Sequence, residues 1–131
     1  MTTGRAGVSD GAKRPMVTNY AEQFIATANV NVRRTGSATG ALVATVNIGS
    51  VVHLDGLPKG GFVAAHVEGW KPEGLPELWA DSLSRGAVHV NARLHPGAKF
   101  EALKPPDEFN RTYGLVRGFV AEKYIRQAKG E

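Results

Sequence analysis

The chain has 131 residues, with 16 Lys+Arg against 12 Asp+Glu and a formal net charge of +4. That is the length of one domain or of two very small ones. The absence of cysteine excludes disulfides, Cys-ligated zinc, iron–sulfur clusters and a thiol nucleophile. No apolar run approaches the roughly 18 residues of a membrane-spanning helix, so no membrane partner is expected.

Residues 1–19 are polar, contain Gly4, Gly7 and Gly11, and have no hydrophobic period. They are expected to form a flexible N-terminal tail, with Arg5, Lys13 and Arg14 available to a partner. The segment lacks the apolar core of a secretory signal peptide. The expected location is therefore the cytoplasm of the producing cell, or a virion. Charge is spread along the chain, and only Arg33–Arg34 and the group Lys123, Arg126 and Lys129 stand close together. Nucleic acid is not an expected partner.

Residues 20–126 read as one β-rich domain, followed by a C-terminal tail at 127–131. Alternation of valine with polar residues predicts a strand ending in Val30-Asn31-Val32-Arg33. After the Gly/Ser loop at 36–40, further strands are expected over 42–46, 51–54 and 62–67, separated by glycine turns. Residues 68–76 read as a connection. One short helix is predicted over 76–85, with Pro76 at its start, Glu77 in its first turn and Gly86 after its end. Strands return at 87–94, 99–103 and 115–120, and a tight turn is expected over 121–126. The fold class expected is mainly β: a small antiparallel barrel with one short helix.

The ordered pieces Val30-Asn31-Val32-Arg33, the Gly/Ser loop, Gly49-Ser50-Val51-Val52-His53-Leu54 and Gly118-Phe119-Val120-Ala121-Glu122-Lys123-Tyr124-Ile125 resemble a bacterial SH3 (SH3b) domain. The resemblance covers residues 29–54 and 115–125. It implies an SH3-like barrel, with Tyr124 and Ile125 plugging its open end. The span from Val30 to Ile125 exceeds one minimal domain of this kind, so the barrel is either elaborated or duplicated. Duplication has two echoes behind it. Val90-Asn91-Ala92-Arg93 echoes Val30-Asn31-Val32-Arg33, and Gly118-Phe119-Val120-Ala121 repeats Gly61-Phe62-Val63-Ala64. Under that reading, subdomains 20–67 and 87–126 are joined by 68–86.

No catalytic constellation is expected. The histidines, His53, His66, His89 and His95, lack metal-ligand spacing and read as isolated strand or loop residues. No serine stands in a Gly-x-Ser-x-Gly elbow, and no phosphate-binding glycine loop occurs. No metal and no cofactor are assigned. The aromatic set is the best candidate for binding. SH3-like barrels bind extended peptides on aromatic surfaces, which singles out Trp70, Trp79 and Tyr113 as ligand-binding residues. The competing role for both tryptophans is as core covering the barrel end. The function expected is a non-catalytic SH3b-like module for a peptide, a cell-wall component or a protein partner. The alternative is a structural assembly protein, such as a bacteriophage virion component within a homo- or hetero-oligomer.

Overall fold

The computed structural model describes residues 23–80 and 89–127. The expected N-terminal tail with Arg5, Lys13 and Arg14 lies outside them, as do residues 81–88 and 128–131. Regular structure among the described residues is almost wholly β, in chain order β1 (Phe24–Ala26), β2 (Val30–Arg33), β3 (Leu42–Val46), β4 (Val51–Leu54), β5 (Phe62–Pro72), β6 (Glu77–Trp79), β7 (Val90–Leu94), β8 (Glu101–Ala102), β9 (Arg111–Ala121) and β10 (Ile125–Gln127). A 3-10 turn, Glu122–Tyr124, separates β9 from β10 where the tight turn is expected.

Six strands close an antiparallel barrel in the order β5-β6-β7-β3-β2-β9 and back to β5. The architecture is consistent with the small SH3-like barrel expected. The remaining strands are additions. A ribbon of β10, β1 and β4 joins the edge of β5, and β8 joins the edge of β9. The ring takes β2, β3 and β5 from residues 30–72 and β6, β7 and β9 from residues 77–121.

Alternation explains the core. Along β5, Val63, Ala65 and Val67 point inward and are almost completely buried. Val30 and Val32 from β2, Val46 from β3, Leu78 from β6, Ala92 from β7, and Val116 and Val120 from β9 complete the same cluster. These are mostly small β-branched side chains, as a narrow barrel interior requires.

Three expectations are corrected. Residues 68–72, read as a connection, continue β5 to Pro72. The last strand starts at Arg111 and not at Leu115. The two extensions pair with each other, Trp70 opposite Tyr113 and Pro72 opposite Arg111, and this non-local pairing overrides the weak strand propensity of Glu68, Gly69 and Lys71. The helix predicted over 76–85 is replaced in its described part by β6, Glu77–Trp79. Its capping signals are local, whereas Leu78 and Trp79 are held between β5 and β7.

Candidate functional site

The outer face of β5 carries the chemistry. Alternation that buries Val63, Ala65 and Val67 turns His66, Glu68 and Trp70 outward in a row. Each is met by neighbours on the flanking strands. His53 on β4 stands opposite His66, and Tyr113 on β9 and Trp79 on β6 stand on either side of Trp70.

The upper part of the row is aromatic. The three residues singled out by sequence, Trp79, Trp70 and Tyr113, occupy consecutive register positions across β6, β5 and β9. Trp70 and Tyr113 meet edge-on, with ring centroids 5.1 Å apart and planes at 68°. All three are half-buried and stand opposite the inward set, outside the core cluster. Two cations lie against them. Lys104 sits 5.3 Å from the Tyr113 ring and 6.0 Å from that of Trp70. The Arg111 guanidinium lies between Trp70, at 5.0 Å, and the exposed Phe109, at 5.2 Å. Asp107 fixes Arg111 by accepting from Nε at 2.8 Å and from Nη2 at 2.6 Å. Its buried Nη1 has no hydrogen-bond partner among the described residues. The Arg111 hydrogen bond holds the Asp107 carboxyl below its ordinary value.

The lower part is polar. His53 and His66 stack with centroids 4.9 Å apart and planes at 14°. His66 Nδ1 lies 2.8 Å from Asp55 Oδ1, and its Nε2 lies 3.2 Å from Glu68 Oε2. The other Glu68 oxygen accepts a 2.7 Å hydrogen bond from the Tyr113 hydroxyl. Tyr113 therefore belongs to both halves of the row. Burial, followed by the Glu68 hydrogen bond and charge, pushes its phenol up to about 12. Burial raises Glu68, but the Tyr113 hydroxyl and the two histidines outweigh it, and the net shift is downward. Burial lowers His53, with His66 adding to that and Glu68 and Asp55 opposing it.

A cleft of ≈ 750 Å³ opens beside this cluster, with His53, Glu68 and Tyr113 on one wall and His89 and Asn91 on the other. It forms because β4 leaves the edge of β5 after the His53–His66 pair, while β6 takes that edge only at Trp70. Asn91 bridges the gap by donating from Nδ2 to the Glu68 carbonyl at 2.9 Å. A second hollow of ≈ 940 Å³ lies at the other end of β5, around Phe62, Tyr124, Arg33 and Lys123.

Reading the histidines as isolated is corrected: the fold brings His53 and His66 together with Asp55 and Glu68. His89 lies across the cleft, and His95 Nε2 bonds Thr45 elsewhere, at 2.9 Å. The signal was present in the hairpin. Gly60 and Gly61 both have positive φ, 62° and 86°, as a two-residue hairpin turn demands. Extending the Lys59–Phe62 pairing without interruption would oppose His53 to Glu68. The Asp55–Pro58 irregularity shifts the register by two, which opposes His53 to His66 and keeps the same face. No family model, no curated protein and no solved structure matches the chain.

Proposed function

We propose that the protein is a non-catalytic binding module of SH3b type that holds an extended peptide against the row Trp79–Trp70–Tyr113. The observation that carries this reading is the convergence of three half-buried aromatic side chains from three strands on the outer barrel face. Rigid rings give contact area at little entropic cost. Lys104, held against those rings, supplies positive charge for a peptide carboxylate or carbonyl, while the buried Arg111, paired with Asp107, props Trp70 from behind. By the sequence resemblance, the ligand class is cell-wall peptide.

Co-sedimentation of the full chain with purified peptidoglycan tests the reading. Wild-type protein is expected in the pellet, and Trp70→Ala is expected to weaken retention about 10-fold or more, the loss typical of a central aromatic contact. Tyr124→Ala, in the second hollow, is expected to bind like wild type. Wild-type protein that stays in the supernatant rules out the cell-wall ligand. Equal retention of wild type and Trp70→Ala removes the aromatic row as the binding surface.

A further inference from the structure

We propose that His53, His66 and Glu68 form a binding site for a zinc-class divalent cation. The potential ligand atoms of these three residues all lie within 4.8 Å of one another. Two nitrogens and one carboxylate oxygen form a donor set used by zinc sites that keep a fourth position open. Two of the three residues, His53 and Glu68, line the cleft beside β5.

The arrangement around the three residues is the stronger argument. Asp55 accepts from His66 Nδ1, which fixes the ring's orientation and leaves Nε2 as the ligating nitrogen. That Nε2 faces Glu68 Oε2 at 3.2 Å. With the proton on Nδ1, a lone pair and a carboxylate oxygen confront each other, and only a positive centre between them relieves the repulsion. A proton on Nε2 or a metal ion supplies it. Tyr113 donates to the other Glu68 oxygen and so orients the carboxylate. Each of two ligands is thus oriented by a hydrogen bond from outside the triad, as outer-shell partners orient metal ligands. All three ligands are half-buried, and two of them open on the cleft.

The site must contract to bind. Ligand atoms on a tetrahedral zinc stand about 3.3 Å apart at bond lengths of about 2.0–2.1 Å. The His66–Glu68 pair already has that spacing. His53 supplies the movement, its ring turning out of the stack with His66 so that its in-plane lone pair points at the ion.

Calorimetric titration of the untagged, chelator-stripped full chain with zinc chloride at pH 7.5 tests the proposal, with magnesium and calcium chloride as comparisons. One equivalent of zinc is expected to bind about 100-fold more tightly than either hard cation, which prefer all-oxygen sites. His53→Ala and Glu68→Gln are each expected to weaken zinc at least about 10-fold. Asp55→Asn, which removes only an orienting group, is expected to weaken it about 10- to 100-fold. His89→Ala is expected to leave it unchanged. The imidazole NMR signals of His53 and His66 should shift together on zinc addition to wild-type protein, a readout that needs no variant to fold. Absence of that shift, or zinc affinity equal in wild type and in a folded His53→Ala/Glu68→Gln double variant, overturns the proposal and leaves a proton as the only bridge.

Discussion

His53 and Glu68 make the metal-free protein sensitive to acid, and the sign follows from their shifts. Burial lowers His53 below its ordinary 6.5, so the unfolded chain takes up that proton first as pH falls. Stability is then lost from about 6.5 down through the folded-state value. Glu68 is held below its ordinary 4.5, so its contribution is present above that value and disappears at lower pH still. Urea midpoints of the chelator-treated chain are expected to fall between pH 7.5 and pH 5. The fall should be smaller in His53→Gln, which has no ring to protonate, and a profile that His53→Gln leaves unaltered would contradict this origin. The cluster was half legible in sequence. The Gly60-Gly61 turn folds His53 back toward His66, both within strands read from the sequence, whereas Glu68 and Trp70 fall in the part of β5 that reads as a connection. Asp55 and Tyr113 were not legible as partners, because one depends on an irregular loop and the other on a strand some 45 residues further along the chain.

Among the elements, the β5–β9 pair organises the barrel, and Gly118 shows how closely its neighbours approach. A Cβ at Gly118 would collide with the Val32 side chain and stand 2.7 Å from the Arg33 carbonyl oxygen, both on β2. Neither group can retreat, since Val32 is a core residue and Arg33 pairs with Phe119. Gly118→Ala is expected to cost about 1–3 kcal/mol by overpacking, read as a lowered urea midpoint with the slope retained. Gly56→Ala, in open space, provides the control. The short strands were legible because valine alternates with polar residues through 30–33, and because the apolar, β-branched runs 42–46 and 62–67 are bounded by glycine turns. The extensions to Pro72 and from Arg111 were not, because each exists through pairing with the other. The same pair gives physical meaning to the repeated Gly-Phe-Val-Ala. Val63 stands opposite Val120, and Ala64 opposite Phe119. The two copies thus face each other about a local two-fold, each placing its valine in the core and its phenylalanine outside.

For the whole molecule, ring closure sets the cooperativity. β9 joins β2, near the start of the described chain, to β5, in its middle. Removing β9 would strip the longest pairing from β5 and expose Val63, Val67 and Val32 together, since all three belong to one cluster. No part of the ring keeps its core when another part opens, so unfolding is expected as one event. Tryptophan fluorescence, which reports Trp70 and Trp79 on β5 and β6, should follow the same urea curve as far-UV circular dichroism, which reports every strand. The van't Hoff and calorimetric enthalpies should agree. Folding should take milliseconds to seconds, because the closing pairs are far apart in sequence. A chain ending at residue 110 lacks β9 and is expected not to fold, leaving the edges of β5 and β2 open to aggregation. Two separated unfolding transitions, or a folded 1–110 fragment, would show instead that the chain contains independently stable units of the kind its internal echoes suggest.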